Sequence, residues 1–208
     1  MRTLYFDLDG TIFDVSERSY RVYQIILKKH KKRFLLKGRY IKMKREKTPI
    51  EDILKETKAE NIISDYKREW LRNIEREKYL NFDKLPQKRK KVLSALKRKY
   101  NLVLITLRKK RKSLYNELHE KGIYSIFSKI LIAGEGWEEK TKVIKKEGSY
   151  KNTLLVGDTE TDILVAKKLN IRSIAVFSGM RSKTFLEKFS PDFIIKDIAF
   201  IEKTLLKK

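Results

Sequence analysis

The chain has no cysteine, only two glutamines and two histidines, and three prolines in 208 residues. Without cysteine there are no disulfides, thiolate metal sites or cysteine nucleophiles, which is compatible with a reducing compartment. His30 and His119 are too far apart in sequence and too basic in their surroundings to suggest a metal site, and read as surface residues. No apolar run approaches the roughly 18 residues needed to cross a bilayer. The first residues lead directly into Thr3-Leu4-Tyr5-Phe6-Asp7 without a signal-peptide pattern. The expected setting is therefore cytoplasmic, with no membrane partner. Acidic residues are also in short supply: 27 against 51 basic, a net charge of +24. Such a field draws anions, whether nucleic acid, acidic lipid or phosphorylated small molecules. Lysine and glutamate are abundant beside the missing cysteine and rare glutamine, a composition also met in heat-adapted proteins. A hydrophobic content of 41% with 11% aromatics suffices for a packed core. The length fits one domain, or a domain carrying a smaller insertion.

No repeat or low-complexity linker interrupts the chain. Leu4–Asp7, Leu102–Thr106, Lys129–Ile132, Thr153–Val156 and Ser173–Phe177 are short, nearly continuous apolar runs, as expected of parallel strands buried on both faces. Phe193–Ile195 adds an edge strand. Helical patterns fall between them, near 87–99, 110–121, 138–147, 161–169, 182–189 and 198–206. This alternation predicts a Rossmann-like, doubly wound α/β sheet. From about Val15 to Leu85 only helical periodicity is found, for example at Tyr20, Tyr23, Ile26 and Leu27. The expected division is a core of residues 1–14 and 86–208 with an all-helical cap, 15–85, over the carboxyl end of the sheet, where ligands of open α/β sheets bind.

Asp7-Leu8-Asp9-Gly10-Thr11 closes the first apolar run. Strand alternation would send Asp7 and Asp9 to one side, and Gly10 permits a sharp turn after them. Alone, this is equally well an Asp-Gly turn. A second acidic stretch, Gly157-Asp158-Thr159-Glu160-Thr161-Asp162, follows another apolar run. Acids at two strand ends beside one crevice make an oxygen-ligand site suited to Mg²⁺. The blander reading is a helix start, capped by Thr159 or Thr161 and favoured by acids in its first turn. The two readings are compatible.

The Asp7–Thr11 segment resembles the first motif of the haloacid dehalogenase superfamily, whose phosphatases carry Asp-x-Asp-x-Thr/Val after an N-terminal strand. Thr106, a lysine before the penultimate core strand, and Gly157–Asp162 follow in the family's order. The likeness is to phosphoglycolate phosphatase-like members with a helical cap after the first motif. It covers residues 1–14 and about 86–196; nothing in the cap carries it. The resemblance implies a magnesium-dependent phosphatase acting on a small phosphomonoester through an aspartyl-phosphate. Asp7 would be the nucleophile and Asp9 the general acid/base. Mg²⁺ would lie between the Asp7 carboxylate, Asp9 (through its backbone carbonyl) and Asp158, with Asp162 behind them holding waters or Lys140. Gly10 and Thr106 would serve the phosphate.

Lys140 and Lys142 both stand at a plausible distance before the fourth strand. Lys140 is preferred as the phosphate-binding lysine because Val143 and Ile144 then begin the apolar face behind it. Arg108 follows Thr106 closely enough to clamp a substrate anion, although an arginine in Arg108-Lys109-Lys110-Arg111-Lys112 is more often a solvated charge. Trp137 would line the cleft or pack at a helix start. Residues 28–47 hold 11 basic residues and one acid, Glu46, so this segment carries the whole charge excess of the cap. Facing the cleft, it would select a polyanion; facing away, it would be a solvated or nucleic-acid-binding surface. The expected partner is thus a small phosphorylated substrate, with nucleic acid a less favoured second class. The alternatives to hydrolysis are a phosphomutase of the β-phosphoglucomutase type, and a nucleic-acid-binding protein or end phosphatase using the basic surface.

Overall fold

Leu4, Phe6, Leu102, Leu104, Leu154 and Val156 pack into one buried cluster, while their strand neighbours Tyr5, Val103, Ile105 and Leu155 pack into another. Successive strand side chains point to opposite faces, so these are the two faces of one sheet, each covered by helices. The structure, a computed structural model, describes residues 2–134, 136–148 and 152–205. Its sheet contains β1 (Thr3–Phe6), β2 (Asn101–Thr106), β3 (Lys129–Ile132), β4 (Thr153–Gly157), β5 (Arg172–Val176) and β6 (Phe193–Ile195). All pair in parallel, in the order β3-β2-β1-β4-β5-β6. From β1 the chain winds outward through β2 to β3, then crosses to β4 and winds the other way. The crevice at this reversal lies at the carboxyl ends of β1, β2 and β4.

The first face is covered by α6 (Gln87–Lys97), α7 (Arg111–Glu120) and the C-terminal α11 (Ile201–Leu205), through residues including Leu93, Leu96, Leu114, Leu118 and Ile201. On the other face lie α8 (Gly136–Lys146) and α9 (Glu160–Leu169), through Ile144, Val165, Ala166 and Leu169. The short α10 (Lys183–Glu187) packs near β6. Trp137 packs against the second cluster rather than lining the cleft. Arg89 is buried, donates to Asp197 at 2.8 Å and 3.0 Å, and ties α6 to the segment before α11.

The regular elements between Val15 and Leu85 are all helical: α1 (Ser16–Lys29), α2 (Lys37–Arg45), α3 (Ile50–Lys55), α4 (Ile63–Asn73) and α5 (Glu77–Leu80), with one 3₁₀ turn. They enclose a hydrophobic cluster of their own, built on Tyr20, Tyr23, Tyr40, Ile53, Leu54 and Tyr66. Tyr23 and Tyr40 stack with ring centroids 4.4 Å apart. The chain leaves and returns side by side, since Asp14 and Lys84 exchange backbone hydrogen bonds of 2.8 Å and 3.1 Å. A second junction lies at the end of α2. There Arg45 donates to the Phe177 carbonyl (2.6 Å), Ser182 N–H donates to the Arg45 carbonyl (3.0 Å), and Lys47 pairs with Glu160 (2.7 Å).

Candidate active site

β1 ends at Phe6, so Asp7 and Asp9 lie just beyond it, in the turn rather than on the strand. Asp7 N–H still donates to the Val156 carbonyl (2.9 Å), which fixes that residue to β4. Gly10 follows with φ +90, a conformation disfavoured for L side chains. A Cβ there would lie 2.0 Å from Asp158 Oδ2. Glycine is thus required by the close approach of two strand ends. Its N–H donates to the Phe13 carbonyl (2.8 Å), so that amide is engaged within the loop.

Lys140 projects from α8 and is fully buried; its Nζ lies 2.7 Å from Asp7 Oδ1 and 2.6 Å from Asp162 Oδ1. The two carboxylates overcome burial and hold its pKa above the ordinary lysine value. Lys142 points outward and pairs with Glu139. Asp162 sits in the first turn of α9, where its Oδ2 accepts from the N–H (3.2 Å) and hydroxyl (2.9 Å) of Thr159. Of the two candidate caps, Thr159 holds the position. Helix capping and the lysine contact therefore use the same carboxylate.

Asp158 is buried and accepts from Thr11 Oγ1 (3.0 Å) and Met180 N–H (2.6 Å). Burial, and then the neighbouring Asp162, push its pKa up to about 7 despite those bonds. Asp7 is likewise raised well above the usual range, by burial first, with Asp158 and Asp162 adding to the rise and Lys140 opposing it. Carboxylate oxygens of Asp7, Asp158 and Asp162 lie within 4.8 Å of one another. Three buried carboxylates, of which only Asp7 and Asp162 meet Lys140, are short of positive charge, and an all-oxygen donor set fits a hard divalent cation. Of the expected ligands Asp7, Asp9 and Asp158, the first and third belong to this cluster.

Asp9 faces elsewhere. Its carboxylate receives Arg108 through Nε (3.1 Å to each oxygen) and Nη2 (2.5 Å), and Arg18 of α1 through Nη2 (2.8 Å). Burial works to raise its pKa, but the two guanidiniums prevail and hold it well below the usual carboxylate range. Arg108 also donates to Asp83 (2.8 Å) and to Glu117, and Arg18 lies 3.2 Å from Asp83. Arg108 is therefore not the solvated charge that its basic surroundings suggest, and it lines the cavity described below. It is buried, and its donors are directed at three carboxylates.

Thr106 ends β2, buried, and its Oγ1 accepts from Arg108 N–H (3.3 Å), which leaves its hydroxyl proton to donate. The backbone N–H groups of Lys109 and Lys110, just before α7, are met by the Glu75 carboxylate of the helical segment at 2.7–3.0 Å. A cavity of about 330 Å³ joins these parts, lined by Asp7, Asp9, Thr106, Arg108 and Lys140 from the core side and by Arg18, Lys44, Ile74 and Glu75 from the helical segment. Sequence reasoning missed Arg18, Glu75, Asp83 and Glu117, and reached Lys44 only as one of the basic residues of segment 28–47. For Arg18 a signal existed: it continues the stripe of Val15 and Val22, where an apolar residue is expected. The histidines take no part, since His30 bonds Glu69 (3.1 Å) and His119 stacks on Tyr124.

The basic segment 28–47 divides. Lys29, Lys37 and Arg39 pair with Glu69, Glu17 and Glu56 of the helical segment itself. Lys44 reaches the cavity, while Arg45 and Lys47 reach the core. No helix among the described residues is long and apolar enough to cross a membrane.

The chain belongs to the haloacid dehalogenase-like hydrolase family, whose model matches residues 4–176 and so takes in the sheet from β1 to β5 and the acidic cluster at its carboxyl edge. It is 26% identical over 208 residues to the pyrophosphatase PpaX of Oceanobacillus iheyensis, spanning 95% of this chain and 94% of that one. In fold it is similar to the haloacid dehalogenase-like family protein SP0104 of Streptococcus pneumoniae, with a TM-score of 0.78, 21% identity and 99% and 98% of the two chains covered. It is also similar to a predicted phosphoglycolate phosphatase of Haemophilus somnus, with a TM-score of 0.75, 22% identity and the same coverage.

Proposed function

We propose that the protein hydrolyses a small phosphate ester, with Asp7 as nucleophile and Asp9 as general acid/base. The observation that carries this reading is the placement of buried Asp7 on Lys140, among Asp158 and Asp162, in one cavity with Asp9 and Thr106. Asp7 attacks phosphorus and the bond to the leaving oxygen breaks, giving an aspartyl-phosphate and splitting hydrolysis into two displacements. Asp9 is held ionised by Arg18 and Arg108 before substrate binds. It acts as acid only once these guanidiniums turn to the phosphate and its carboxylate takes up a proton from solvent, which it delivers to the leaving oxygen before taking one from the water that attacks the phosphoenzyme. Lys140 orients the Asp7 carboxylate, and the Thr106 hydroxyl donates to a phosphoryl oxygen. Asp7 and Asp158, with the Asp9 backbone carbonyl, would hold Mg²⁺, which supplies positive charge against the nucleophile and phosphate dianion. Helices α1–α5 act as a cap, residues 15–85, that closes the cavity from above the sheet. The names of the pyrophosphatase and phosphatase relatives agree with this chemistry.

The test is phosphate release from a panel of phosphate esters, in Mg²⁺ and in EDTA, by wild type and Asp7→Asn. Activity that requires Mg²⁺ and disappears in Asp7→Asn is expected. Full activity in Asp7→Asn overturns the assignment, and interconversion of sugar phosphates without phosphate release makes the protein a mutase.

A further inference from the structure

The cavity wall carries five cationic side chains: Arg18, Lys44, Arg108, Lys140 and Arg181. Four face carboxylates. Arg18 and Arg108 meet Asp9 and Asp83, Lys140 meets Asp7 and Asp162, and Arg181 meets Glu160 at 2.8 Å. Among the described residues, the Lys44 ammonium makes no hydrogen bond or ion pair. Its one recorded partner is the Trp70 ring, whose centroid lies 5.7 Å away. Arg181 adds like charge beside it, its Nη1 donating to the Lys44 carbonyl (3.2 Å). Burial first, and then Arg181, lower the Lys44 pKa to about 8, with Glu160 opposing. A partly buried cation held beside like charge, with no carboxylate in direct contact, is unfavourable, and an arriving anion relieves it through a charge-assisted hydrogen bond.

Lys44 also differs in origin. Asp7, Thr106 and Lys140 reach the cavity from the sheet side, whereas Lys44 comes from α2 of the helical segment. We infer that Lys44 is a specificity-determining residue, seating a second anionic group on the leaving portion of the substrate and so favouring doubly anionic phosphate esters over those with uncharged leaving groups. The assignment rests on the phosphoryl-transfer reading above. A cavity of about 330 Å³ suits a phosphate joined by a short chain to a second phosphate or a carboxylate.

Three esters of one chain length isolate the effect: propyl phosphate, 3-phosphonooxypropanoate and propane-1,3-diyl bisphosphate. Wild type is expected to turn over at least one charged member with kcat/KM tenfold or more above propyl phosphate, chiefly through KM, and the better member identifies the second anion as carboxylate or phosphate. In Lys44→Met this preference falls to within about twofold, and Lys44→Arg retains most of it. Calorimetric binding of the same compounds to the Asp7→Asn background, with and without Lys44→Met, reads the preference without turnover. Equal affinity of wild type for all three, a preference intact in Lys44→Met, or an equal loss on all three overturns the assignment. Absence of hydrolysis by wild type with the binding preference intact strikes the phosphoryl-transfer reading alone; hydrolysis without preference strikes only the role of Lys44.

Discussion

Around Asp7 every charged partner comes from the α/β core: Lys140 on α8, Asp158 after β4 and Asp162 in α9. Around Asp9 the charges come from both halves of the molecule. Arg108 and Glu117 belong to the core, while Arg18 lies on the first helix of the insertion and Asp83 on its returning connection. The two carboxylates are adjacent in the motif, yet one answers to the sheet alone and the other also to the seat of the helical segment. The surroundings of the proposed nucleophile are thus set by the sheet and the helices packed on it, whereas those of the proposed acid/base also depend on how the segment between β1 and β2 is held.

Substitutions can break this comparison. The largest effect is expected from Asp7→Asn, which removes the nucleophile and should lower phosphate release by about 10³-fold or more, read as kcat. Asp9→Asn should cost about 10²–10⁴-fold, the usual contribution of one acid/base. If the second loss is confined to esters of poor leaving groups, Asp9 acts as the acid; an equal loss on p-nitrophenyl phosphate would contradict that.

Stability sharpens the contrast. Arg108→Met leaves Asp83 and Glu117 buried with less compensation and should destabilise by about 3–5 kcal/mol, read by urea unfolding. Mg²⁺ at about 100 times its Kd should add about 2.7 kcal/mol to wild type, and clearly less to Asp158→Asn, read as a thermal shift. Arg18→Met should have the smallest effect, since Arg108 still holds Asp9, and its sign with pH is defined. The folded-state pKa of Asp9 lies well below the ordinary aspartate value. Its ion pairs therefore contribute fully above about pH 4, and that contribution is lost as pH falls through the folded value. The stability gap between wild type and Arg18→Met should narrow on acidification; a gap constant from pH 7 to pH 3 would show that Arg18 acts by packing alone.

The strands were legible because continuous apolar runs have few other uses, and each expected run appears in the sheet to within a residue or two. The acid positions were legible for a related reason, since carboxylates directly after buried runs must come out at the sheet edge. Lys140 could be favoured over Lys142 from periodicity, but only packing put one Nζ between Asp7 and Asp162 and the other in solvent. For Arg108 the basic run left a solvated charge the commoner reading, while the chain turns this residue inward onto Asp9, Asp83 and Glu117, the first two of them 99 and 25 positions away. Glu75 gave no local signal, and the charge of segment 28–47 did not single out Lys44, since the surroundings of both exist only once helices α1–α5 pack against the sheet.

By itself the sequence determined the sheet, its winding and the acidic motif of Asp7, Asp9 and Asp158, because hydrophobic periodicity and strand-end chemistry are local properties. Only the tertiary structure decided what each carboxylate faces. Burial and pairing depend on residues far apart in the chain, 133 positions for Lys140 and Asp7 and 147 for Thr11 and Asp158, and no local pattern encodes such distances.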